Sequence, residues 1–173
     1  MALKRLIITS LLVLFMSTYY LASVESSNSK YAPNVGSVRA AYWPAGDDLS
    51  PSSIDTKYFT HIYYAFIQQD PQLFHLSVTE FDEKWIPKFI NGLRYCYPQV
   101  KTLLSIGGGS SNSTAFSLMA SNTHTRKVFI NSTIHVARQY GFNGLDLDWE
   151  FPDDELDMSN LGVLFQEWHQ ALV

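Results

Sequence analysis

The chain has 173 residues, a formal net charge of −4 and no cluster of Lys and Arg, a balance that argues against nucleic acid and anionic membrane surfaces as partners. Cys96 is its only cysteine, which excludes an internal disulfide; it reads as a buried, inert small hydrophobe, and the fold must rest on its core. Ten Tyr, eleven Phe and four Trp suit either a large core or a sugar-stacking cleft, and composition does not choose between them.

From the start of the chain, residues 1–26 have a basic opening (Lys4, Arg5), an apolar stretch from Leu6 to Phe15 and a polar end at Val24-Glu25-Ser26. This pattern predicts a cleaved secretory signal peptide, because a spanning helix needs ~20 apolar residues and this stretch is shorter. The expected destination is extracellular or vacuolar, with no membrane attachment after cleavage. A polar linker fills residues 27–36. Val38 to Trp43 reads as a first strand, residues 44–53 as a Pro- and Gly-rich loop, and Ile54 to Tyr58 as a helical turn. His61 to Phe66 is a second strand, β-branched and aromatic.

Glu80 to Tyr97 carries Trp85, Phe89 and Leu93 at helical spacing, and Pro87 predicts that the helix starts there or is kinked. Lys101 to Ile106 is a third strand, followed at once by Gly107-Gly108-Gly109. A short helix is expected over Thr114 to Met119 and a longer one over Arg126 to Tyr140, with Gly141 as its C-cap. Asn112-Ser113-Thr114 and Asn131-Ser132-Thr133 are glycosylation sequons, which fit the secretory route. The fourth strand is acidic, and Asn160 to Val173 reads as a last amphipathic helix. Near-continuous apolar strands alternating four times with helices predict parallel strands covered by helices, as one domain from residue 37 to 173. An open doubly wound sheet and part of a barrel both fit this pattern.

The acidic strand, Gly144-Leu145-Asp146-Leu147-Asp148-Trp149-Glu150, places Asp146, Asp148 and Glu150 on one face and the apolar residues on the other. Neighbouring carboxylates then start roughly 6.6 Å apart and repel by about 2.5 kcal/mol at an effective dielectric near 20. Folding alone disfavours such a row; its use is to hold one carboxyl protonated beside an ionised one. A solvated strand face would be the bland reading, against the flanking Leu and Trp. A calcium loop is disfavoured because no glycine lies midway and the flanks are apolar. The three glycines lack the residues of a phosphate-binding loop and suit a tight turn with close backbone approach. The five histidines show no ligand spacing, so neither a metal nor another cofactor is implied. Functional groups of a barrel gather at the C-terminal strand ends, where Asp148 and Glu150 are expected. Trp43, at a strand end, is a candidate for stacking on sugar; Trp85, Trp149 and Trp168 read as packing.

Ser105-Ile106-Gly107-Gly108 and the acidic strand together resemble the two signature motifs of the plant class V chitinases in glycoside hydrolase family 18. The likeness runs from about Ser37 to Val173 and takes in Tyr42-Trp43 and Tyr64-Ala65-Phe66. It implies an α/β fold, the N-terminal half of a (β/α)8 TIM barrel with four parallel strands alternating with helices. It also implies hydrolysis of β-1,4-N-acetylglucosamine linkages, with chitin or its oligosaccharides as partner. By this resemblance Glu150 is the general acid, and Asp148 orients the substrate N-acetyl group, whose oxygen attacks the anomeric carbon. Asp146 would share a proton with Asp148, Tyr42 and Ser105 would hydrogen-bond Asp146 from below, and Phe66 and Gly108 would line the cleft. Asn143 stands where the family has its first aspartate, and Phe151 where it usually has tyrosine. The chain is also far shorter than the ~250 residues of a whole barrel. The expectation is that it is a truncated chitinase, poorly soluble and nearly inactive alone. A chitin-binding lectin is the alternative, and retention of Glu150 favours the enzyme.

Overall fold

The computed structural model describes residues 37–173, so the expected leader and linker lie outside the described residues. In chain order the elements are β1 (Ala40–Pro44), two 3-10 turns (Pro51–Ser53 and Thr56–Tyr58), β2 (His61–Gln69), β3 (Leu76–Ser77), α1 (Glu80–Leu93), β4 (Lys101–Gly107), α2 (Ser113–Ser121), α3 (Thr123–Tyr140), β5 (Gly144–Asp148) and α4 (Glu155–Leu172).

Strands β1, β2, β4 and β5 pair in parallel and in chain order, each beside the one before it. A doubly wound sheet reverses its order at a switch point; sequential order is that of an arc of a barrel. Register places Trp43, Tyr64, Leu104 and Leu145 side by side, with Tyr42 and Tyr63 one residue earlier on the opposite face. Between Tyr64 and Ile67 the β2–β4 register shifts by one residue, and the Ala65–Phe66 peptide within the shift is cis.

Strand β2 runs three residues beyond its expected end and pairs antiparallel with β3, an element absent from the sequence reading. Asp70 reverses the chain there, its Oδ1 accepting from the N–H groups of Gln72 at 2.8 Å and Leu73 at 2.7 Å. Helix α1 begins at Glu80 and passes through Pro87, rather than starting at it, and it stops at Leu93 rather than Tyr97. Thr79 and Asp82 form a capping box at its start, and Asp82 Oδ1 also accepts from the buried Tyr64 hydroxyl at 3.0 Å. Beyond the proline, Phe89, Ile90 and Leu93 are buried, and that packing outweighs the ~3 kcal/mol cost of a mid-helix proline.

Helices α2, α3 and α4 each start earlier than their apolar periodicity indicates. Asn112, Asn122 and Asp154 cap them by accepting from a backbone N–H two or three residues on. Gly141 ends α3 in the left-handed conformation, as expected. The core lies between sheet and helices: Phe89 stacks on Trp43 at 5.4 Å, Phe116 on Trp149 at 5.8 Å, and Trp168 meets Phe129 edge-on at 5.4 Å. Cys96 is only partly buried, contrary to expectation, because the helix has already ended; its thiol donates to the Gly92 carbonyl at 3.4 Å. Among the described residues, no helix is long and apolar enough to cross a membrane.

Candidate active site

The face of the sheet opposite the helices carries a connected polar ladder. Ser105 Oγ, fully buried, donates to Asp146 Oδ2 at 2.6 Å, and the Tyr42 hydroxyl donates to the same oxygen at 3.3 Å. Three strands thus meet on one carboxylate: parallel register puts Ser105 of β4 directly beside Asp146 of β5, and Tyr42 reaches it from β1. Burial raises the pKa of Asp146 above the ordinary carboxylate range, while the hydrogen bonds from Ser105 and Tyr42 pull it back down. The Tyr42 phenol is pushed up strongly, first by burial and then by the charges of Asp146 and Asp148.

Asp148 carries the raised titration near neutral pH: burial, then the charges of Glu150 and Asp146, push it up to about 6. Of the acidic row, Asp148 is thus brought towards neutral pH by its burial and by its charged neighbours. Asp146 and Asp148 are coupled through charge, with no hydrogen bond between them among the described residues.

Glu150 departs from the expected strand. Strand β5 ends at Asp148, so Glu150 lies in the segment leading to α4 and its direction is not set by strand alternation. The Glu150–Phe151 peptide is cis. Its carboxyl lies over Gly109: a Cβ on that glycine would stand 3.5 Å from Glu150 Oε2.

The glycine run supplies close approach. Gly107 has φ +113°, and a Cβ there would overlap the Asp148 carbonyl, to which Gly108 N–H donates at 2.8 Å. Gly108 has φ +84°, and its Cβ would come within 2.7 Å of the Phe66 ring. Phe66 in turn lies 5.5 Å from the Tyr42 ring, so the residues expected to line a cleft do adjoin one another. Trp43 does not join them. It is 2% exposed, its indole donates to the Leu49 carbonyl at 2.8 Å, and it packs on Phe89, which removes it as a sugar-stacking surface. Trp149 is packing, as expected, stacked on Phe116.

Asn143 has a definite task. Its Oδ1 accepts from Thr102 N–H at 2.8 Å and Thr102 Oγ1 at 3.2 Å, pinning the start of β5 to β4. Only acceptor capacity is used, which an amide supplies as well as a carboxylate. Phe151 is 44% exposed, and its backbone carbonyl accepts from Ser113 Oγ at 2.8 Å. Sequence reasoning missed Ser113 and Gly109; the third glycine of the run and the polar stretch after it were the available signals. Among the described residues, no three His, Cys, Asp or Glu side chains converge as a metal-ion ligand set.

The family model for glycosyl hydrolases family 18 matches residues 20–173. Among curated proteins, the chain is 58% identical over its full length to the class V chitinase CHIT5 of Lotus japonicus and 56% identical to CHIT5a of Medicago truncatula. It spans only 44% and 45% of their lengths. The crystal structure of a class V chitinase from Nicotiana tobaccum, a glutamate-to-glutamine mutant in complex with NAG4, superposes on 78% of the chain with a TM-score of 0.73 and 43% identity, using 38% of its own length. A chitinase-like agglutinin from Robinia pseudoacacia matches the same share with a TM-score of 0.74 and 39% identity, using 41% of its length.

Proposed function

As the chain belongs to glycosyl hydrolase family 18, its parallel sheet being the N-terminal part of that family's TIM barrel, we propose that it contributes the proton-donating half of a chitin-hydrolysing cleft. The observation that carries this reading is the ladder Tyr42–Asp146–Ser105 with Asp148 raised to about 6 above it and Glu150 just beyond. The substrate class is β-1,4-linked N-acetylglucosamine. The NAG4 complex of the tobacco relative supports that choice, and so does the chemistry of the ladder.

In the proposed reaction, Glu150 gives its proton to the glycosidic oxygen as the bond from that oxygen to the anomeric carbon breaks. The acetamido oxygen of the same sugar attacks the anomeric carbon from the opposite side. Asp148 accepts a hydrogen bond from the acetamido N–H, which favours its ionised form and opposes the positive charge developing on that group. Water then attacks the anomeric carbon from the side the leaving group vacated, giving a proton to Glu150 as the bond from the acetamido oxygen to that carbon breaks and the neutral acetamide re-forms, so configuration is retained. Asp146 holds the charge balance beneath Asp148, with Tyr42 and Ser105 fixing its orientation. Phe66 and Gly108 shape the adjoining wall.

Glu150→Gln in a completed barrel tests the assignment: it is expected to bind chitin oligosaccharides as the parent barrel does and to lose turnover at least a hundredfold. Unchanged turnover overturns Glu150 as the acid. A binding-only protein is the second reading, favoured by the likeness to the agglutinin. A completed barrel that binds oligosaccharides and releases no product would support it. The secretory route belongs to the same proposal, and the exported protein is expected to begin near Ser26. Asn112 and Asn131 are both exposed, as acceptors of N-glycans must be, and a mass loss on deglycosylation would locate the glycans.

A further inference from the structure

We propose that Ser113 is a positioning residue that holds the backbone on both sides of Glu150, so that the start of α2 sets where that carboxyl stands. The inference rests on the reading of Glu150 as proton donor. Glu150 belongs to no regular element, and its side chain has no hydrogen-bond partner among the described residues. Its place is therefore decided by its neighbours in the chain.

Both neighbours end on the same hydroxyl. The Trp149 indole Nε1–H donates to Ser113 Oγ at 2.9 Å, and Ser113 Oγ donates to the Phe151 carbonyl at 2.8 Å. Only a hydroxyl accepts and donates in this way from one atom. Helix α2 reinforces the arrangement at two further points. Phe116 stacks on Trp149, and Ser117 Oγ donates at 2.7 Å to Asp157 Oδ2, which also accepts from Asp153 N–H at 3.1 Å. On the upstream side, Gly108 N–H ties down the Asp148 carbonyl. Residues 148, 149, 151 and 153 are thus anchored, and Glu150 is suspended between them. Capping of α2 does not account for the serine, because Asn112 already supplies that cap through Ala115 N–H.

The test uses Ser113→Thr and Ser113→Val, which match in shape and differ in the hydroxyl. The readout is the titration midpoint of the Asp148 carboxyl, followed by carbon-detected NMR on the full chain. After burial, the charge of Glu150 is the main influence that raises this midpoint. Glu150→Gln sets the scale by removing the charge, and the midpoint falls. Ser113→Val is expected to fall at least half as far, because Glu150 is released, while Ser113→Thr keeps the parent midpoint. A Ser113→Val protein with the parent midpoint, or a Thr variant that shifts as far as Val, overturns the proposal. Turnover retained in the Glu150→Gln variant of a completed barrel would sink the acid assignment separately, leaving the Asp148 midpoint to judge Ser113.

Discussion

On the helix-covered side of the sheet, Trp43, Tyr64 and Leu104 stand in register across three strands and none is more than 2% exposed. One residue earlier along the first two strands, the other side carries Tyr42, 43% exposed, and Tyr63, their rings meeting edge-on at 5.0 Å. One residue beyond Leu104, that side carries Ser105 bonded to Asp146. The same strands therefore build a face of apolar packing and a face that carries the polar ladder. The first is held by dispersion and apolar burial, the second by hydrogen bonds converging on a carboxylate. What separates them is neighbours, since the backbone is shared.

Truncation on the two faces should differ in size. Trp43→Ala removes a buried ring packed on Phe89 and Trp85, and is expected to cost about 3–5 kcal/mol by denaturant unfolding. A cost near that of Tyr42→Phe, which removes only a long hydrogen bond, would break the distinction between the faces. Next in size, Ser105→Ala removes the short bond to Asp146; about 1.5 kcal/mol of stability should go, and the Asp146 titration should move further up.

Asp148→Asn is expected to act in the opposite direction and to stabilise the chain at neutral pH. The Asp148 carboxyl titrates at about 6 in the fold against an ordinary value of 3.8, so the fold binds its proton more tightly than the unfolded chain does. The stability from that proton is fully present below about pH 4, is lost as pH rises towards 6, and stays lost above. The melting temperature of Asp148→Asn should therefore exceed the parent's at pH 7 and match it near pH 3.5, a contrast that thermal scans at both pH values check. Smallest of all, Asn143→Asp should change stability by less than about 0.5 kcal/mol, because both bonds from Thr102 end on an acceptor oxygen that aspartate keeps.

Much of the fold is legible in the sequence. The four strands, their helices and the packing roles of Trp85, Trp149 and Trp168 follow from periodicity, which is a property of the local chain. Helix starts were misplaced where a polar residue capped a turn that carries little apolar signal, as at Asn112, Asn122 and Asp154. A helix start at Pro87 is ruled out because the burial of Phe89, Ile90 and Leu93 outweighs the local penalty. Trp43 looked available because it sits near a strand end, but Leu49, Trp85 and Phe89 enclose it.

By itself the sequence determined the acidic alternation of Asp146 and Asp148, the glycine run opposite them and the motif pair that resembles the family, since each is written in adjacent residues. Only the tertiary structure decided that Glu150 leaves the strand, that Asp148 takes the raised titration, and that Ser113 links Trp149 to Phe151. Those outcomes depend on burial and on partners far apart in the chain. Tyr42 and Asp146 stand 104 positions apart, on the two strands at the ends of the sheet order, and share one hydrogen bond that local pattern cannot express.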